Sequence, residues 1–367
     1  MSYLERVEER LAAIAAAHRM RTVEAWQPRG VVDFSSNDYL AMSTEPQVVA
    51  AFRQAQRVGA GGARLLGGRH REHSLLEEEL ATWLGREKAL LFSSGYLAAF
   101  GAIAVLGSVV DRTASDRLNH ASLIDGIRAT GLPRAIYPHA RPSEAGRTLG
   151  STLYVSETLF SMDGDVIDPG ALLRELGPED VLLLDEAHAL GVYGPEGAGL
   201  AHGLADDRIV VLGTLSKALG AQGGFVAGPA RVVDLLANAA RAFVFDTALP
   251  PAIALAARIA LLLTRKADDR RAHLRELAVR LRAGLAAHDI ATGGDDASPI
   301  VPILLGDEER ALAVAAGLLE KRIYAPAVRP PTVPPGTSRL RASLRADLRV
   351  EDVDALLRGI VACTATS

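Results

Sequence analysis

From about residue 89 to 250, short runs of Val, Leu and Ile recur without polar alternation: "KALLFSSG", "STLYVSE", "DVLLLDEAH", "RIVVLGT" and "GFVAG". Runs of this kind are strands covered on both faces. Helical or turn-rich stretches separate them, which predicts an α/β domain with a mainly parallel sheet under helices. Ahead of them, residues 1 to about 20 read as an amphipathic helix, followed by the loop "AWQPRG" and a short strand ending in "FSSNDYL". Behind them, 252–287 reads as helical. "SPIVPILLG", a helix near 307–321 and "SRLRASLRA" then predict a smaller α+β C-terminal domain. The expected division is an N-terminal segment 1–45, a large domain 46–255 and a small domain 256–367. The proline-rich "AVRPPTVPPGTSRL" reads as a rigid extended loop beside a pocket.

Composition narrows the class. The 367 residues are 49% hydrophobic with a formal net charge of −4, an enzyme-like globule without a basic surface for nucleic acid or a polybasic membrane anchor. The most apolar run, "GYLAAFGAIAVLGSVV", is 16 residues long and shorter than a membrane span, so it reads as a buried helix. With Cys363 as the single cysteine, an intrachain disulfide is excluded and a thiolate metal site is disfavoured. The first residues, "MSYLERVEERLAAIAAAHRMR", carry acids early and have helical periodicity, unlike a secretory signal, and the expected compartment is the cytoplasm.

Ligands of open parallel sheets bind beyond the carboxyl ends of the strands. There the chain places "SSG" before a helix, where free N–H groups and the helix dipole suit a phosphate. Asp185 ends an otherwise apolar run, with His188 three residues on; a carboxylate in such a site calls for a facing cation. Lys217 follows the next strand, in "GTLSKALGAQGG", among small neighbours that disfavour its charged form. Together these residues match what pyridoxal phosphate requires. No Walker A or dinucleotide fingerprint is present, and the spacing of His120, His188 and Asp185 offers no compact metal-binding face. Plainer readings stand beside each: Asp185 paired to an arginine, His188 capping a turn, His120 bonded to a carbonyl in the core. His70 and His73 read as helix-entry structure.

Nearly the whole chain resembles the α-oxoamine synthase family, pyridoxal-phosphate enzymes of the aspartate-aminotransferase-like architecture (fold type I). The matching segments are "FSSNDYL", "LLFSSGY", "DRLNHASLIDG", "SETLFSMDGD", "LLLDEAHALGVYG", "GTLSKALGAQGG", "TALPP", "SPIVPILLG" and "RPPTVPPGTSRLR". The resemblance implies that Lys217 is the Schiff-base lysine and the base at the substrate Cα. It implies that Asp185 holds the pyridinium N–H, and that His188 bonds the phenolic oxygen with Ser161 nearby. His120 would stack on the ring, Gly95 and Tyr96 would give backbone contacts, and Thr214 a hydroxyl to the phosphate. Thr247 would reach the phosphate of the partner subunit, which makes the expected form a homodimer with its active site at the interface. Arg341 would clamp the amino-acid carboxylate and Thr332 would contact substrate.

The implied reaction is a decarboxylative condensation of an amino acid with an acyl thioester. "RPPTVPPGTSRLR" most resembles the member that joins L-alanine to a pimeloyl thioester of coenzyme A or an acyl carrier protein. Sister enzymes take glycine or serine with other acyl-CoA donors. A pimeloyl chain ends in a carboxylate, for which Arg19 and Arg21 are candidates, with exposed helix-end arginines as the plainer reading. Arg339 and Arg341 share a strand face and also read as a solvated pair; Ser161 and Asp163 in "SMDGD" also read as turn formers. For Thr247 and Thr332 ordinary loop hydroxyls are the alternative. Asp246 stands before the threonine of "TALPP" where the family has Ser or Thr, and a carboxylate there must turn away from a phosphate. Asp347 stands where the family has histidine.

Overall fold

The computed structural model describes residues 1–16, 20, 30–146 and 150–365. Among these residues twelve strands run, in chain order, β1 (Val32–Asp33), β2 (Lys88–Phe92), β3 (Arg112–Asp116), β4 (Arg134–Tyr137), β5 (Thr152–Glu157), β6 (Val181–Asp185), β7 (Ile209–Thr214), β8 (Gly224–Gly228), β9 (Ile300–Gly306), β10 (Ile323–Tyr324), β11 (Ala327–Val328) and β12 (Ser338–Ser343). Seven form one sheet in the order β2-β8-β7-β6-β5-β3-β4. All pairs are parallel except those of β8, which is antiparallel to both neighbours. β2 and β7 therefore point the same way, and their carboxyl ends share one edge with those of β5 and β6.

The apolar runs are strands because both faces are covered. In β6, Leu182 and Leu184 pack into one cluster with Leu80, Ala254, Ala257 and Leu261, from helices Arg71–Leu84 and Pro251–Arg265. Leu183 faces the opposite cluster, with Ala98 and Ile103 of helix Gly95–Leu106 and Leu123 and Ile127 of helix Ala121–Thr130. Burying each such leucine is worth about 2 kcal/mol, so strand register follows the pattern.

β3, "RTASD", and β4, "RAIY", lie outside the apolar runs that signalled strands. β3 is buried with polar residues, Thr113, Ser115 and Asp116, and pairing on both sides satisfies its backbone. The stretch 252–287 is two helices, Pro251–Arg265 and Asp268–Ala286. A three-stranded sheet, β11-β12-β9, and the helices Asp268–Ala286, Glu308–Glu320 and Val350–Ala365 enclose a third core of Leu274, Leu281, Ile303, Val314, Leu340 and Leu356. Phe34, Tyr39 and Leu40 of the "FSSNDYL" stretch join it, which brings that stretch against the site. The N-terminal helix, Tyr3–Ala16, has no buried residue. No helix among the described residues is long and apolar enough to cross a membrane.

Candidate active site

A cavity of about 270 Å³ opens at the carboxyl edge of the large sheet, lined by strand ends and by the first residues of two helices. Lys217, Asp185, His188, His120, Thr214, Gly95 and Tyr96, all expected from sequence, line it together. β6 ends in Asp185 and β7 in Thr214; the turn after β7 carries Lys217 and closes through Gly220 at φ 59. A Cβ at Gly220 would stand 2.2 Å from the Ser43 nitrogen, so only glycine lets this turn back onto the chain behind it.

The helix Gly95–Leu106 starts at the cavity, with Ser94 as N-cap accepting from the Leu97 N–H at 3.2 Å. A Cβ at Gly95 would meet Thr214 Oγ1 at 3.2 Å, so glycine keeps the helix end close to the β7 terminus. The Thr214 hydroxyl donates to the Gly223 carbonyl at 2.9 Å and lies 2.8 Å from Ser216 Oγ, whose residue is exposed in the cavity. A helix N-terminus beside the Ser216 hydroxyl is a donor set for a phosphate, with Thr214 Oγ1 next to it and its proton held by Gly223.

Asp185 accepts the Ala187 N–H at 2.8 Å with Oδ1, while Oδ2 makes no hydrogen bond among the described residues. Burial raises its pKa against the pull of Lys217, so a cationic N–H in the cavity is what this carboxylate lacks. Lys217 forms no hydrogen bond through Nζ among the described residues. Burial lowers its pKa to about 8, only partly opposed by Asp185 and Glu157. His120 caps the helix Ala121–Thr130; its Nδ1 lies 2.8 Å from Ser122 Oγ and its ring faces the cavity. Burial, then Lys217, Arg341 and His120, pushes His188 well below the usual histidine value, so its ring is neutral. An unpaired amine, a half-satisfied buried carboxylate and a phosphate cradle in one cavity fit pyridoxal phosphate.

Arg341 is buried on β12 rather than solvated. Its Nε donates to the Ser161 carbonyl at 2.5 Å, Nη1 to Ser343 Oγ at 2.6 Å, and both Nη atoms to Asn37 Oδ1 at 3.2 Å. All of these acceptors are neutral, and no carboxylate among the described residues lies within ion-pair distance. Arg339, also buried, instead meets Asp163 Oδ1 at 2.6 Å and ties β12 to the "SMDGD" turn. Ser161 thus sits beside Arg341 by its backbone. Thr247 and Thr332 do not line the cavity. Thr247 borders a second small pocket with Ser93 and Asp246, whose carboxylate turns to the Ser93 hydroxyl. Thr332 is exposed between β11 and β12. Arg19 and Arg21 lie outside the described residues.

Glu157 also lines the cavity and was not singled out by the sequence reading. It ends β5 opposite Asp185 in register, and accepts the His120 backbone N–H at 2.6 Å. Burial raises its pKa well above the usual value, with Asp185 adding to the rise. It closes the run "STLYVSE", so the strand-end rule that found Asp185 carried the signal for it too. Ser94, Ser122 and Ser216 complete the wall, and Asn37 reaches Arg341 from "FSSNDYL".

The family model of aminotransferase class I and II matches residues 29–360. An 8-amino-7-oxononanoate synthase of Anaeromyxobacter dehalogenans is 46% identical over 351 residues, 91% of this chain and 86% of that protein. One from Acidithiobacillus ferrooxidans is 44% identical over 344 residues, 89% of this chain and 86% of that protein. A solved serine palmitoyltransferase of S. paucimobilis with a bound PLP–myriocin aldimine matches with a TM-score of 0.90 at 25% identity, covering 100% of this chain and 99% of that one. An 8-amino-7-oxononanoate synthase of Francisella tularensis matches with a TM-score of 0.79 at 27% identity, covering 92% and 99%.

Proposed function

The chain belongs to the aminotransferase class I and II family, and from that premise we propose that it condenses L-alanine with a pimeloyl thioester. The products are 8-amino-7-oxononanoate, CO2 and the free thiol of coenzyme A or an acyl carrier protein. The enzyme is a pyridoxal-phosphate-dependent acyltransferase of fold type I. The observation that carries the reading is the meeting of an unpaired Lys217 amine and an open Asp185 oxygen in one cavity, in a chain 41–46% identical to several such synthases.

When bound, pyridoxal phosphate supplies an electron sink for the negative charge that develops at the substrate Cα. Asp185 Oδ2 holds the ring N–H that keeps the sink effective. The N–H groups at Gly95 and Tyr96, with Thr214 and Ser216, bind the phosphate. His120 covers one ring face, and His188, with Ser161 nearby, faces the phenolic oxygen. Lys217 Nζ holds the cofactor and moves the proton at Cα, a task suited to an amine whose pKa lies near neutrality. Arg341 and Asn37 orient the alanine carboxylate.

Thr332 contacts substrate in this reading, and Thr247 serves the phosphate site of a second copy, so the working form is a homodimer; the expected compartment is the cytoplasm. Arg19 or Arg21 meets the distal pimeloyl carboxylate. Incubation with L-alanine and pimeloyl-CoA, followed by mass spectrometry, is expected to yield 8-amino-7-oxononanoate. Turnover confined to glycine or serine with another acyl-CoA would overturn the assignment.

A further inference from the structure

Tyr39 plays no part in the chemistry above, yet it reaches the site. Its side chain is fully buried, and its hydroxyl lies 2.6 Å from His188 Nδ1. The same hydroxyl is 3.3 Å from Asn37 Oδ1, an oxygen that already receives both Nη atoms of Arg341 and stands 3.4 Å from Ser343 Oγ. A phenol has one proton to donate. Asn37 is saturated by the guanidinium, so that proton goes to the shorter contact, the imidazole nitrogen. Burial pushes Tyr39 up to about 12, against the opposing charge and hydrogen bonding of Arg341, so it remains a phenol. Burial, reinforced by the positive charges of Lys217 and Arg341, keeps the His188 ring neutral, with a single proton. His188 Nε2 makes no hydrogen bond among the described residues, and the ring lines the cavity.

We propose that Tyr39 is a positioning residue that fixes His188 as the Nε2–H tautomer, so that the ring offers the cavity a donor rather than an acceptor. This rests on the reading above, in which that donor meets the phenolic oxygen of the cofactor. Without Tyr39, Nδ1 has no obligatory donor and the proton is shared between the two nitrogens.

Selective 15N-histidine labelling of the full-length chain, with and without pyridoxal phosphate, reads the tautomer directly, with a His188→Asn variant to assign the signal. The wild type is expected to show two widely separated ring nitrogens, the protonated one being Nε2. Tyr39→Phe, which removes only the hydroxyl from the packed ring, is expected to bring the two resonances together. With cofactor bound, the pH midpoint of its visible absorption band should shift in the same variant by about one pH unit, a tenfold change in proton affinity. A purely packing role would lower the melting temperature and leave both signatures in place, which overturns the proposal. A wild-type proton on Nδ1 overturns it as well, and that measurement decides even where Tyr39→Phe does not fold. Failure to bind the cofactor would count against the functional reading alone, because the tautomer is also read in the cofactor-free chain.

Discussion

Two charge clusters sit along the carboxyl edge of the large sheet, one partly exposed and one buried, and they are built on opposite principles. Beyond β3, both oxygens of Asp116 lie 3.1 Å from His139 Nδ1, and the carboxylate also accepts the N–H groups of Leu118 at 2.9 Å and Ala140 at 2.8 Å. The other His139 nitrogen meets Asp165, in the turn that carries Ser161. Burial works against the charged ring, but hydrogen bonds to Asp116 and Asp165 outweigh it and raise His139 to about 9. At β5–β7, Lys217, Asp185 and Glu157 share one cavity without forming an ion pair among the described residues. A buried charge left without its partner is costly. The first cluster closes its valences to hold a loop, whereas the second leaves them open toward a ligand.

Breaking the open cluster is expected to cost function and spare the fold. Lys217→Ala should lower turnover ~10⁴-fold and abolish the visible Schiff-base band, with a urea midpoint equal to or above wild type because a buried amine is lost. An unchanged band in that variant would sink the assignment. Arg341→Lys removes a planar donor from a buried site with only neutral acceptors, and should raise the KM for L-alanine by roughly 100-fold, with a far smaller change in the KM for the thioester. Equal changes in both constants would speak against a carboxylate clamp.

The closed cluster should answer in stability. His139→Gln is expected to lose about 1–2 kcal/mol in urea unfolding at pH 7, allowing for partial exposure of the ring, with turnover per folded molecule changed less than about threefold. Because the folded value, about 9, lies above the ordinary histidine value of 6.5, this stabilisation is fully present below pH 6.5 and is lost as pH rises through about 9. The urea midpoint of the wild type should therefore fall between pH 7 and 10 by an increment that His139→Gln lacks. A parallel pH profile in the variant would show that His139 carries no such charge.

Much of the sheet was legible because a strand buried on both faces carries an apolar run at its centre, as β2 and β5–β8 do. β3 was not, since its buried Thr113, Ser115 and Asp116 break the apolar run, and what holds it is backbone pairing to β4 and β5 and the Asp116 bonds to His139 and Ala140, neighbours only in space. Strand-end logic found Asp185 and Lys217 but passed over Glu157, which obeys the same rule one strand away. Arg339 and Arg341 look alike in sequence, two residues apart on one face. Their partners separate them: the Asp163 carboxylate neutralises the first, whereas the second meets only neutral acceptors.

The sequence by itself determined the α/β class, the chemistry of the cofactor site and the residues most exposed to that chemistry, because apolar runs and the residues ending them are local features. Tertiary structure alone decided which charges are paired and which wait for a ligand. It seats Tyr39, some 149 positions away in sequence, against His188, and Asn37 against Arg341 from the far end of the chain. Hydrogen-bond partners are set by the crossing of strands and the packing of two layers, which no local pattern of residues contains.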